Sequence, residues 1–362
     1  MTSFSPSVAD IQNAARALHR GELVAFPTET VYGLGADADQ DTAVEQIFKL
    51  KGRPNNHPLI VHISSAQGVE HYAQDIPDFA QTLMERFWPG ALTLILHKRA
   101  NVAQAASAQS HTIGLRWPSH PVALALLETA RALGVHGVAA PSANRFGRVS
   151  PTRAGHVRDE FGATLSLLDA GDCDIGIEST IVDCTRGEPI LLRPGLIDQN
   201  TLQEALNRPV LRQDDLLAMS RPEGAHTRAF EATAPKASGT LASHYAPRAR
   251  VKLMDSTSML LEIERLGRKP PPELTGLSRE SPQTIGVWSR DRAVHALPHA
   301  PHLVFKAMPA LPQDCAHALF ATLRDFDALG VSQIWVESPP SGVLWAGVAD
   351  RLNRASHTEI QP

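Results

Sequence analysis

Residues 21–63, GELVAFPTETVYGLGADADQDTAVEQIFKLKGRPNNHPLIVHI, constrain this chain more than any other stretch. Leu23 to Phe26 is a short apolar run stopped by Pro27, the pattern of a buried strand. Thr28, Glu29, Thr30 and Tyr32 follow, placing polar groups just past a strand end, where open α/β sheets bind ligands. Gly33 and Gly35 admit backbone shapes that a Cβ resists. Thr42 and Glu45 have the spacing of a capping box, and Val44, Ile47, Phe48 and Leu50 form a helical apolar stripe. Gly52 and Pro54 end that helix and leave Lys51 and Arg53 on its exit, facing the same rim as the threonines. Two cations beside hydroxyls suit an anion, but a basic pair at a helix exit also fits a solvated cap on the helix dipole. A nicotinamide site is disfavoured. Gly33, Gly35 and Ala38 fit only loosely, and Arg53 stands where an acid should hold ribose.

At 362 residues the chain suggests two domains, each large enough to bury a core. A hydrophobic share of 43% and a charged share of 20% are those of a globular protein. The net charge of −4 carries no global basic field of the kind nucleic-acid binders display. Cys173, Cys184 and Cys315 lie far apart, which argues against a zinc site or a disulfide framework. With no signal-like N-terminus and no apolar run of spanning length, a cytoplasmic protein without membrane contact is expected.

The rest alternates. Residues 7–20 read as a helix capped by Ser7, with Val8, Ile11, Ala15 and Leu18 on one face. Leu59 to Ile63 reads as a strand with His62 near its end, and the spacing of His57 and His62 suits no helical metal pair. A helix over 76–87, a strand over 91–97 and a strand from Thr112 to Arg116 follow. A strand-end arginine such as Arg116 or Arg193 can simply pair with a surface carboxylate, and the residues alone leave that open. Pro121 to Leu133 reads as a helix, Val138 to Ala140 leads into the turn-forming Pro141-Ser142-Ala143-Asn144, and the next helix is expected to open at Pro151-Thr152. Strands are expected over 165–169 and 189–193, with IESTIV between them. From about 207 to 249 periodicity fails, as in a long loop or linker. Beyond it, strands at 251–254, 284–288, 302–307 and 334–337 alternate with helices near 257–266, 313–328 and 343–356, the pattern of a small doubly wound parallel sheet. Residues 267–282 form a Pro-rich surface excursion, and no chemical constellation appears in this half.

Several motifs in order carry a resemblance: PTETVYGLGADA, the K-x-R of Lys51 and Arg53, PLIVHI, FWPGALTLIL, TIGLRWP, PSAN, IESTIVD, LRPG and SHYAP at 243–247. Over about residues 8–200 the chain resembles the YrdC family of threonylcarbamoyl-AMP synthases, and SHYAP extends the likeness to the long, two-domain form. The resemblance implies an α/β protein: an N-terminal YrdC-like twisted open mixed sheet with flanking helices over 1–206, a linker or lid over 207–249, and a smaller doubly wound, Rossmann-like α/β domain over 250–362. It implies synthesis of L-threonylcarbamoyladenylate from L-threonine, bicarbonate and ATP, with Mg²⁺ accompanying ATP. A tRNA or a tRNA-modifying protein would receive the intermediate. In the family pattern Lys51, Arg53, Ser142 and Asn144 serve catalysis, while Thr30, His62, Arg116 and Ser179 lie around threonine. Arg53, His57, Thr112, Ser142, Ser150, Arg193 and Tyr245 face the nucleotide. Two departures stand out: His57 replaces the asparagine many relatives carry before Pro-Leu, and Ser238-Gly239-Thr240 replaces the more usual Pro-Gly-Met before SHYAP. A double-stranded RNA-binding or ribosome-maturation role is the competing reading, and the acidic balance disfavours it.

Overall fold

The computed structural model describes residues 5–212, 235, 239, 244–268, 284–296 and 302–357. Most of the 207–249 linker, the 267–282 excursion, and Ser238 and Thr240 lie outside the described residues. The chain divides into two compact units, one of Met1–Phe146 with Ser150–Thr240, the other of Gly147–Val149 with Leu241–Pro362.

In the first unit the strands are β1 (Val24–Phe26), β2 (Gly33–Asp37), β3 (Ile60–His62), β4 (Ala73–Gln74), β5 (Leu92–Lys98), β6 (Thr112–Arg116), β7 (Val138–Ala139), β8 (Ser166–Leu167), β9 (Thr180–Asp183), β10 (Ile190–Arg193) and β11 (Leu211–Arg212). The helices are α1 (Val8–His19), α2 (Asp41–Lys51), α3 (Ala66–Tyr72), α4 (Asp78–Phe87), α5 (Pro121–Ala132), α6 (Ala154–Phe161) and α7 (Gln199–Leu206). The strands form one open mixed sheet in the order β11-β10-β9-β5-β6-β3-β7-β2-β1-β8, with β4 beside β5. Successive side chains of a strand face opposite ways, so the sheet buries two layers. On one face Ala25 packs with Val44, Ile47 and Phe48 of α2. On the other, Val24 and Phe26 pack with Ala14, Ala15 and Leu18 of α1 and with Val122, Leu126 and Leu127 of α5.

The second unit holds β12 (Arg250–Met254), β13 (Ile285–Ser289), β14 (Leu303–Ala307) and β15 (Gln333–Glu337), all parallel, in the order β12-β15-β13-β14. Its helices are α8 (Ser256–Arg268), α9 (Arg292–Ala296), α10 (Pro312–Ala328) and α11 (Ala346–Ser356). The order of the elements is the doubly wound α/β arrangement expected from the alternation. Met259, Ile263 and Val294 pack with Ile285, Val287 and Trp335. Tyr245, buried and at φ +62°, lies in this unit with its ring 5.2 Å from that of Phe320 and the Arg351 guanidinium 5.6 Å over it.

Two local expectations are corrected. Thr42 and Glu45 form no capping box, because α2 starts two residues early with Gln40 at its cap and no side-chain cap bond. The Gln40 amide is spent instead on the His19 carbonyl and Asp37. The helix expected at Pro151-Thr152 starts at Ala154, since the Pro151 carbonyl accepts from Tyr32 and the Thr152 N–H donates to His156. Gly33 and Gly35 both lie within β2. Their value is the missing side chain: a Cβ at Gly35 would stand 2.7 Å from Val138 Cγ1 and 2.8 Å from Phe26 Cε1. Gly35→Ala is therefore expected to lower stability by about 1–3 kcal/mol, the usual cost of overpacking a filled core. Urea unfolding reads it, and an unchanged midpoint would refute the packing account. Ser7, by contrast, caps α1 as expected, in a box completed by Asp10.

Candidate active site

The segment Thr28 to Gly33, between β1 and β2, is a hub for backbone bonds from distant loops. The Glu29 and Thr30 carbonyls accept from Ile175 and Gly176 at 2.7 and 3.1 Å. Tyr32 N–H donates to the Pro151 carbonyl at 2.9 Å, and the Tyr32 carbonyl accepts from Ala143 at 2.8 Å. Gly33 bridges to Ser142 in antiparallel fashion. Pro27 ends the strand and frees this backbone to bond outward rather than along the sheet. The loops 142–151 and 175–179 thereby come to one place.

Arg116, at the end of β6, reaches into that hub. Its Nη1 donates to Thr30 Oγ1 at 2.8 Å, its Nη2 pairs with Glu29 Oε1 at 2.7 Å, and its Nε donates to the Gly90 carbonyl at 3.2 Å. Thr30 is held in turn by Thr28, hydroxyl to hydroxyl at 2.8 Å. The parallel β3–β6 register sets His62 opposite Arg116. Burial, reinforced by the Arg116 charge, pushes the imidazole pKa down to about 3, so His62 is neutral throughout the physiological range. Burial alone would raise the Glu29 pKa, but the Arg116 guanidinium and neighbouring hydrogen bonds outweigh it and hold the carboxyl below its ordinary value.

A second group lies alongside. The β5–β6 register, with Leu94 opposite Leu115, sets Thr93 beside Arg116. Thr93 Oγ1 and Ser179 Oγ share a hydrogen bond of 2.7 Å. Arg193, at the end of β10, grips Ser179 twice, from Nε to its carbonyl at 3.0 Å and from Nη2 to its hydroxyl at 3.1 Å. One residue earlier, Glu178 accepts from the Ser150 hydroxyl at 2.5 Å.

The third group joins the two basic and polar motifs. Lys51 Nζ, at the last residue of α2, donates to the carbonyls of both Ser142 and Asn144. The lysine is thus a backbone clamp on the Pro141–Asn144 turn, a connection that no sequence spacing displays. Its burial, and then the charge of Arg53, lower its pKa well below the usual lysine value. Arg53 Nη2 donates to the Pro58 carbonyl at 3.1 Å, and its guanidinium carbon lies 5.8 Å from the centre of the Phe146 ring. His57 faces the same ring at 5.8 Å.

Of the residues singled out from sequence, Thr30, His62, Arg116, Ser179 and Arg193 meet around β6, β5 and β9. Lys51, Arg53, His57, Ser142 and Asn144 meet at the exit of α2, and Ser150 joins through Glu178. Thr112 stands at the start of β6, bonded to Ser110. Tyr245 belongs to the second unit. The sequence reading assigns no role to Thr93, Glu178 and Phe146, and gives Glu29 only a place among the polar groups past the first strand. Glu29 and Thr93 sit inside recognised motifs, PTETVYG and FWPGALTLIL, but only strand register and loop closure reveal what they touch. Lys51, Arg53, Arg116 and Arg193 are 2–8% exposed. Around the hub these four buried cations outnumber the two buried carboxylates, Glu29 and Glu178, leaving a positive region complementary to anions. Removing a charge from water costs several kcal/mol unless bonds replace the solvent. Here carbonyls and hydroxyls supply much of that replacement.

The open mixed sheet with its buried cations belongs to a chain similar in sequence and fold to the Sua5/YciO/YrdC class. Residues 16–195 match that family's model, described as "Telomere recombination", and residues 197–357 match "Threonylcarbamoyl-AMP synthase, C-terminal domain". The threonylcarbamoyl-AMP synthase of Pyrococcus abyssi is 35% identical over 97% of this chain and 95% of its own length. That of Bacillus subtilis is 35% identical over 98% and 94%. The crystal structure of P. abyssi Sua5 complexed with L-threonine superposes with a TM-score of 0.79 at 32% identity, covering 98% of this chain and 96% of the other. The chain belongs to the threonylcarbamoyl-AMP synthase family, enzymes of the nucleotidyltransferase type. Among the described residues no helix is long and apolar enough to cross a membrane.

Proposed function

We propose that this enzyme joins L-threonine, bicarbonate and ATP into L-threonylcarbamoyladenylate, releasing pyrophosphate, and that the product serves threonylcarbamoylation of a tRNA adenosine. The observation that carries this reading is the buried Arg116 fork, 2.8 Å from Thr30 and flanked by His62 and Thr93, next to the Arg193–Ser179 pair. A planar guanidinium suits a carboxylate held by two parallel bonds. In this reading Arg116 takes the threonine carboxylate, with Thr30, His62 and Ser179 around the amino acid. Lys51, Arg53 and Arg193 draw in the triphosphate, with Ser142, Asn144, Ser150, His57 and Thr112 as further nucleotide contacts.

The chemistry asks for charge control more than for a nucleophilic side chain. The threonine amine and bicarbonate give a carbamate and water. A carbamate oxygen then bonds to the α-phosphorus as the bond to the bridging oxygen breaks and pyrophosphate leaves. Both reactants are anions and repel in water. Fixed cations lower that repulsion, and holding the pair in line supplies much of the remaining rate. Magnesium arrives with ATP as part of the substrate. The described residues hold no group of three or more His, Cys, Asp and Glu placed to bind a metal. A hydrated ion carried by phosphates, touched by neutral oxygens such as those of Ser142 and Asn144, fits this donor set better than an all-protein cage.

Pyrophosphate release with L-threonine, bicarbonate and ATP present is the direct test, with calorimetric titration of ATP, threonine and duplex RNA beside it. Threonine-dependent pyrophosphate and small-ligand binding are expected. Tight duplex RNA binding without threonine-dependent turnover would replace this reading with the RNA-binding one.

A further inference from the structure

The geometry points to Phe146 as an aromatic wall against which the purine of the nucleoside triphosphate stacks, with the His57 ring, tilted 59° to it, and the Arg53 guanidinium close by. This rests on ATP being the substrate and adds how its base is held. Phe146 closes the turn that carries Ser142 and Asn144, and its N–H donates to the Lys51 carbonyl at 2.9 Å. The ring is therefore fixed to the exit of α2, directly beside the two cations. Arg53 bonds the Pro58 carbonyl, which braces the 53–58 loop and sets the half-buried His57 across from the half-buried ring. A guanidinium 5.8 Å from the ring centre adds a flat cation to two flat rings.

This grouping matches the chemistry of a nucleobase. Bases bind proteins through their π-faces, stacking on aromatic side chains and on arginine planes, while their phosphates seek cations. A triphosphate near Lys51 and Arg53 leaves its base within reach of these rings. The wall also gives a physical sense to His57. An asparagine there offers an amide for hydrogen bonding; an imidazole offers a ring, which in this chain stands 5.8 Å from that of Phe146 and tilted 59° to it. Recognition by stacking favours the larger purines over pyrimidines without reading their edges.

The test uses the full-length enzyme. Phe146→Ala is expected to weaken ATP binding about tenfold or more, the usual consequence of removing a stacking ring. The effect should fall on KM for ATP rather than on kcat, and ATP should lose part of its advantage over CTP and UTP. Phe146→Tyr and Phe146→Trp should restore wild-type KM, because they return a ring. Inorganic tripolyphosphate, which has no base, serves as the control competitor, and Phe146→Ala should leave its inhibition constant unchanged. An unchanged KM for ATP overturns the wall. So does a parallel loss of tripolyphosphate affinity, which would mean the loop itself had shifted. Absence of threonine-dependent turnover in the wild type would instead strike the reaction assignment, while calorimetric ATP affinity in the variants still decides on the wall.

Discussion

Replacing Arg116 with alanine is expected to lower L-threonine affinity by a hundredfold or more, about 3 kcal/mol, while ATP still binds. The guanidinium makes three contacts, to Thr30, Glu29 and Gly90, and the fork offered to a carboxylate disappears with it. The loss has a second part. Glu29 is buried, and without its cation it becomes a charge in a poor solvent, a situation that typically costs about 3–5 kcal/mol. Arg116→Ala should therefore also melt earlier, and that alone would confuse the binding result. The double variant Arg116→Ala with Glu29→Gln separates the two effects. Removing the orphaned carboxylate should recover part of the lost stability and none of the threonine affinity. Arg116→Lys keeps the charge but not the fork, and should fall between wild type and alanine in affinity. Calorimetry with each ligand and thermal unfolding read all three variants. Threonine affinity unmoved in Arg116→Ala would show that the amino acid binds elsewhere.

What the sequence made legible and what it hid divide along a physical line. Local signals carried far: Pro27 and Pro54 as stops, Gly52 as a left-handed helix cap, Ser7 as an N-cap, and the alternation that predicts the parallel sheet of the second unit. Motif order located the residues around Arg116 and Lys51. The errors came where a local rule met a tertiary competitor. Thr42 had the spacing of a cap, but Gln40 was anchored from outside by His19 and Asp37 and set the helix start. Gly33 and Gly35 signal backbone freedom in the sequence, whereas the strand that holds Gly35 uses the space a Cβ would fill. Thr93 and Phe146 were invisible for a different reason. Their partners, Ser179 and His57, lie far away in sequence, and only register and loop closure bring them together.

The Lys51 clamp leads to the second large effect. Lys51→Met preserves most of the side-chain volume but removes the donors that hold the Ser142 and Asn144 carbonyls. Each buried carbonyl left without a partner costs about 1–3 kcal/mol, so the turn should give up its present shape rather than bear both penalties. Three features proposed above to meet the nucleotide depend on that turn: the Ser142 and Asn144 side chains and the Phe146 ring at its end. The expected result is a fall of about a hundredfold in kcat/KM for ATP, with faster amide exchange at residues 143–146, while threonine binding at Arg116 persists. A lysine acting only as a positive charge predicts something else. Raised magnesium or added free amine would then recover activity, and exchange at the turn would stay slow. The bonds to both carbonyls favour the clamp, because they already engage the amine inside the protein, where its burial and then the Arg53 charge lower its pKa. Slow exchange at the turn in Lys51→Met, with activity returned by an exogenous amine, would reverse that conclusion.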